Sequence, residues 1–92
     1  MKSKELPPID LFGKYRKSKR FMQYYHEEMA MIDLAIKLTE LRKKKRLSQA
    51  QLAKKIHMPQ SQISRIESGD SDVRIGTLSR VAAALDKKLQ LA

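Results

Sequence analysis

From Leu34 onward, apolar residues recur three and four positions apart, which is the spacing of amphipathic helices. Four groups of residues share a face in this way: Leu34, Leu38 and Leu41; Leu52, Ala53 and Ile56; Ile63 and Ile66; and Leu78, Val81, Ala82 and Leu85. The two middle groups lie on short segments. The pattern predicts an all-α fold that contains a pair of short helices.

Residues with capping preferences mark the ends of these helices. Ser48 precedes the segment "QAQLAKKI" and is expected to be its hydroxyl N-cap. Gly69 follows "QSQISRIES", where a left-handed C-terminal cap is expected. Gly76 or Thr77 is expected near the start of the last helix.

Upstream of the motif, two interpretations remain open. Ser18 can cap a helix through "KRFMQYYHEEMAMI", and Asp33 can cap a second through "LAIKLTELRKKK". Alternatively, the two segments run together as one long helix. The boundary therefore stays undecided at this point.

The two ends of the chain lack a helical period. Residues 1–17 contain Pro7 and Pro8 and predict a mobile arm with at most a short extended piece. The tail "KKLQLA" alternates Leu89 and Leu91 with polar residues, which favours a short strand. The expected organisation is an N-terminal arm and helix over 1–32, a compact helical domain over 33–86 and a tail over 87–92.

The composition of the chain limits the classes of function that it can have. A net charge of +10 on 92 residues attracts nucleic acid, an anionic membrane surface or an acidic protein. No apolar run approaches the roughly 20 residues that span a bilayer, so a cytoplasmic protein without a membrane partner is expected. The chain has no Cys, and His26 and His57 lack ligand spacing. We expect no metal, no cofactor and, without paired carboxylates or an activated His, no enzyme.

The two short helices carry the candidate chemistry. The tight turn "IHMP" and the small Ala53 suit a helix-turn-helix, although a purely structural αα-hairpin has the same outline. Polar residues on the second helix fall opposite its isoleucines: Gln60, Ser61, Ser64 and Arg65. Gln pairs with adenine and Arg with guanine, so these side chains are expected to read base edges, while Lys43 and Arg74 are expected to hold phosphates.

The run "LRKKKRLSQAQLAKKIHMPQSQISRIESG" resembles the helix-turn-helix of the XRE, or lambda repressor-like, family. The resemblance implies a five-helix DNA-binding bundle, here with an extra N-terminal helix and a possible C-terminal strand. It places Gln49 on a phosphate and implies a buried ion pair between Arg42 and Glu67. Family members usually have Gly where this chain has Arg46 and His57, so both are expected at positive φ. Pro59 replaces the usual hydroxyl cap of the recognition helix.

The sequence outside the motif suggests partners. One recognition helix reads few base pairs, so a homodimer on a palindromic double-stranded operator is expected. The N-terminal part resembles HigA-type antitoxins, which implies a ribonuclease toxin of the HigB or RelE type as the partner. The expected toxin-binding residues are Phe21, Tyr24, Tyr25, Glu27 and Glu28. The alternatives are that this helix packs on its own domain or on a second copy, and that the protein is a repressor without a toxin.

Overall fold

The computed structural model describes residues 5–9 and 27–89 of the chain. These residues are all-α, as the apolar periodicity predicts. The helices are α1 (Glu27–Lys44), α2 (Gln49–Lys55), α3 (Gln60–Glu67) and α4 (Ile75–Ala84). The two short helices predicted on either side of "IHMP" are therefore α2 and α3.

Helix α1 runs without a break across Asp33. Of the two open interpretations, the one in which Asp33 caps a separate helix is wrong, because the segment contains neither Gly nor Pro and nothing interrupts its hydrogen-bond ladder. Ser18, the other candidate cap, lies outside the described residues. The expected domain boundary between residues 32 and 33 falls inside this helix.

The N-terminal caps differ from helix to helix. Ser48 caps α2 through a capping box: its hydroxyl accepts from the Gln51 N–H at 3.0 Å, and the Gln51 side chain accepts from the Ser48 N–H at 2.8 Å. Pro59 caps α3 without a side-chain hydrogen bond. The last helix begins earlier than predicted, because Arg74 and not Gly76 or Thr77 is the N-cap of α4 and its carbonyl already accepts from the Leu78 N–H at 3.1 Å.

All four helices end in the same backbone turn. Each turn has the two reverse hydrogen bonds of a Schellman motif and one residue at positive φ: Arg46 (59°), His57 (55°), Gly69 (84°) and Asp86 (63°). Arg46 and His57 are thus in the left-handed conformation expected of them. A Cβ at Gly69 would also make a tight contact, 3.2 Å from Ile32 Cγ1.

The core lies between all four helices and includes two residues that the periodicity did not predict. Its buried members are Ile9, Leu34, Leu38, Leu52, Ala53, Ile63, Ile66, Val73, Leu78, Val81, Ala82 and Leu85. Ile9 comes from the predicted arm, and Val73 comes from the loop before α4. Leu41 and Ile56, which were also predicted, are partly buried against this core.

The two ends of the described chain meet in one short contact. Pro8 and Lys88 form an isolated parallel bridge, in which the Ile9 N–H donates to Lys88 O at 3.0 Å and the Lys88 N–H donates to Pro7 O at 2.7 Å. A fifth bundle helix and a C-terminal strand do not appear among the described residues. The left-handed Asp86 ends α4, and the chain leaves it in an extended course.

Candidate nucleic-acid interface

Helices α2 and α3 are joined by the turn at residues 56–59. The Met58 N–H donates to Ala53 O at 2.9 Å, and the Ala53 side chain is buried where the helices pack. Arg80 of α4 donates from Nη2 to Ile56 O at 2.6 Å and so ties the turn to the last helix. The orientation of α3 is therefore fixed by both neighbouring helices.

Helix α3 has two chemically distinct faces. Ile63 and Ile66 are fully buried, whereas Gln60, Ser61, Ser64 and Arg65 are exposed. We call the exposed set the recognition surface. It consists of three uncharged hydrogen-bonding side chains within the first five residues of the helix and one arginine in its last turn, with donors and acceptors that match base edges in a major groove.

Arg65 has an intramolecular partner. Its Nε and Nη2 lie 2.9 and 2.8 Å from Oδ2 of Asp70, just beyond the end of α3. The other carboxylate oxygen of Asp70 accepts from the Asp72 N–H at 2.9 Å. The Asp72 N–H and the Arg65 side chain hold the pKa of Asp70 below its ordinary value, so this carboxylate is ionised at neutral pH.

The residues expected at phosphates lie on three different helices. Lys43 is exposed in the last turn of α1, and Arg74 is the exposed N-cap of α4. Gln49 is the first residue of α2 and is half-buried, and its amide nitrogen donates to Glu67 Oε1 at 3.1 Å. Gln49 therefore supports the ion-pair network, while its second amide proton remains available for a phosphate.

Arg42 and Glu67 form the ion pair that the resemblance implies. Arg42 Nε and Nη2 donate to the two carboxylate oxygens of Glu67 at 2.6 and 3.0 Å, and Nη1 donates to Leu47 O at 2.7 Å. The Arg42 and Glu67 side chains are only 10% and 8% exposed. Burial alone would raise the pKa of Glu67, but the hydrogen bonds from Arg42 and Gln49 and the charge of Arg42 together lower it.

A basic groove adjoins the recognition surface. Among the side chains that line it are Gln62, Arg65, Arg74, Thr77 and Arg80, which bring α3 and the start of α4 to one open surface. The sequence interpretation missed Arg80 and Asp70. A signal for Asp70 existed: a Gly cap at residue 69 brings residues 65 and 70 into contact, because they are the C3 and C″ positions of a Schellman motif.

Of the five residues expected to bind a toxin, two lie among the described residues. Phe21, Tyr24 and Tyr25 lie outside the described residues. Glu27 and Glu28 form the start of α1. Farther along this helix, Met29, Ile32 and Ile36 are 43–52% exposed, three and four residues apart.

Within residues 5–9 and 27–89, no helix is both long and apolar enough to cross a membrane. The same residues contain no group of three or more acidic or histidine side chains arranged to hold a metal ion.

Comparison with known proteins gives one match. Neither a curated protein nor a solved structure matches the chain. The helix-turn-helix family HTH_3 matches residues 38–91, a span that includes α2, the turn, α3 and α4. The chain therefore belongs to the XRE, lambda repressor-like, helix-turn-helix family of DNA-binding transcription regulators.

Proposed function

We propose that the protein is a sequence-specific repressor that reads its operator with α3 and acts by binding, without catalysis. The observation that carries this proposal is the recognition surface, where Gln60, Ser61, Ser64 and Arg65 are exposed opposite a fully buried apolar face. A helix of purely structural use needs no such set. The net charge of +10 supplies affinity for any duplex, and the recognition surface supplies the choice between sequences.

Substitutions at Arg65 and Lys43 should separate these two contributions. Arg65→Ala should relax the preference at one base pair by about 1–3 kcal/mol, because a bidentate contact to guanine is lost. Lys43→Ala should weaken binding to all sequences alike, because one phosphate contact is lost. The slope of log K against log salt concentration should become shallower by about one. Titrations of selected and scrambled duplexes at several salt concentrations measure both effects. An equal loss of specificity in the two variants would contradict the assignment.

The operator-binding form is proposed to be a homodimer on a palindromic site, with the C-terminal tail or the last helix as the contact. Lys88 already bonds to the N-terminal segment of its own chain, and Leu89 packs against its own core. Leu91→Asp is therefore tested beside Leu89→Asp, since the loss of Leu89 also removes a contact with its own core. Light scattering should show monomers for Leu91→Asp and dimers for the unchanged chain. A dimer that survives the substitution would place the interface elsewhere.

The proposal extends to an antitoxin role: the protein neutralises a cognate ribonuclease toxin and represses the operon that encodes both. The observation that favours it is the apolar stripe of Met29, Ile32 and Ile36, because these side chains are exposed on α1 although the helix also contributes to the core. Residues 27–40 contain four acidic residues and one lysine, in a chain that is otherwise strongly basic. An apolar stripe with acidic neighbours is complementary to a basic protein surface.

Charged substitutions in the stripe test the antitoxin role. The double variant Met29→Glu and Ile36→Glu should lose the ability to protect cells from the product of a neighbouring gene, while it keeps DNA binding. Ile75→Glu is the matched control for protection, because Ile75 is 56% exposed and Ile36 is 52% exposed, but Ile75 lies on α4. Full protection by the double variant would leave the alternative, a repressor without a toxin partner.

A further inference from the structure

The end of α3 holds one edge of an arginine side chain. Arg65 is half exposed on the recognition surface, yet its Nε donates to Oδ2 of Asp70 at 2.9 Å, and its Nη2 lies 2.8 Å from the same oxygen. These two nitrogens form the side-on edge of the guanidinium. The plane and direction of the group are therefore set before any DNA is bound.

Backbone geometry determines where the Asp70 carboxylate lies. The Asp70 N–H donates to Arg65 O at 3.2 Å, and Gly69 supplies the left-handed turn between them. The Asp72 N–H then fixes the second carboxylate oxygen at 2.9 Å. Hydrogen bonds thus hold both the backbone and the carboxylate of Asp70. The longer and more flexible Arg65 side chain is therefore the group that adapts to it.

The donors that remain on Arg65 match one base. Of its five N–H groups, the one on Nε donates to Asp70, and the end-on edge, with one proton on Nη1 and one on Nη2, stays available. Guanine presents two adjacent acceptors, N7 and O6, to the major groove, whereas adenine presents one acceptor and one donor. An end-on guanidinium fits guanine and leaves a donor facing a donor at adenine.

We propose that Asp70 is a positioning residue for DNA reading: it presents the end-on edge of Arg65 to a guanine. This inference rests on the proposed function of α3 in base reading. Asp70 acts through Arg65 and does not itself contact the base.

The negative charge of Asp70 favours a role in discrimination between DNA sequences and not a role in general affinity for DNA. A carboxylate beside a DNA-binding surface repels phosphates and weakens binding to every duplex alike. The Asp70 carboxylate improves discrimination between sequences, because it reduces the orientations in which Arg65 can bond to an incorrect base or to a phosphate. Asp70 therefore lowers affinity for all sequences while it sharpens the choice among them.

The test uses the full chain and a library of duplexes with randomised sequence. Asp70→Asn is the informative variant, since the amide oxygen can still accept from the Asp72 N–H while an NH₂ group replaces the acceptor for Arg65. Asp72→Asn is the matched control, because it removes the same charge two residues away without touching the Arg65 contact. Circular dichroism and thermal unfolding check that all variants are folded.

The unchanged chain should select one guanine whose preference disappears in Arg65→Ala. Asp70→Asn should lower that preference about fivefold or more, while its affinity for scrambled DNA stays equal or rises, and Asp72→Asn should leave the preference unchanged. In an Arg65→Ala background, Asp70→Asn should have no further effect on the preference. An unaltered or sharper preference in Asp70→Asn would overturn the inference alone. Failure of the unchanged chain to select any sequence would overturn the proposed function itself.

Discussion

Replacement of Arg42 with Met should lower the free energy of unfolding by about 3–5 kcal/mol, because it leaves the Glu67 carboxylate buried without its cation. Glu67 is 8% exposed and would retain Gln49 as a hydrogen-bond donor from the described network. A domain of this size has a total stability of roughly 5–15 kcal/mol, so the loss should be a large fraction of the whole. Urea denaturation followed by circular dichroism at neutral pH measures the loss.

The double variant Arg42→Met and Glu67→Leu is the control. It removes both charges and fills the site with apolar groups of similar size, so it should be more stable than Arg42→Met alone. If the double variant lost the summed stability of the two single variants, the two side chains would not be coupled, and the ion pair would contribute nothing as a pair.

Through Glu67, a fall in pH should lower the free energy of unfolding of the unchanged chain and raise that of Arg42→Met. In the unchanged chain the pKa of Glu67 is lower in the folded than in the unfolded state, so its stabilisation is present above the unfolded pKa and is lost as the pH falls through the folded pKa. Without Arg42, burial dominates and should raise the folded pKa above the unfolded value. Protonation of Glu67 should then stabilise the variant as the pH falls. Unfolding curves at neutral and acid pH reveal the sign.

The helices of the motif were predictable because their signals are local. Ser48 has the hydroxyl that a capping box requires, and Gly69 has the freedom that a left-handed cap requires. The buried isoleucines of α3 follow from helical spacing alone. The start of α4 was not predictable in this way, since Arg74 caps it with backbone only and carries no side-chain cap signal.

Contacts between segments far apart in sequence could not be predicted from local sequence patterns. The segment that carries Ile9 is held beside the core because Lys88 accepts from the Ile9 N–H and donates to Pro7 O, and no periodicity links two residues so far apart in sequence. The Arg65–Asp70 contact is different, because the Gly69 cap implies it once the Schellman geometry is considered. In this chain, candidate site residues on α3 could be predicted from their face of the helix, whereas their orientation depended on the turn that follows.

Ile63→Ala should destabilise the protein by about 2–5 kcal/mol, because Ile63 is fully buried and its loss leaves a cavity between α3 and the rest of the core. Ser64→Ala, one residue farther along the same helix, is the matched control. The Ser64 side chain is exposed, so its truncation should change stability by less than about 0.5 kcal/mol. Urea denaturation should separate the two variants.

At low temperature, where both variants are folded, Ser64→Ala should have the larger effect on DNA sequence preference, although Ile63→Ala has the larger effect on stability. Ser64→Ala should alter the preference among duplexes, because it removes a hydroxyl from the recognition surface. Ile63→Ala should keep the same preference and lose only the fraction of molecules that unfold, since its side chain faces away from the groove. If Ile63→Ala changed the preferred sequence while folded, the two faces of α3 would not act independently, and base reading would depend on the packing beneath the helix.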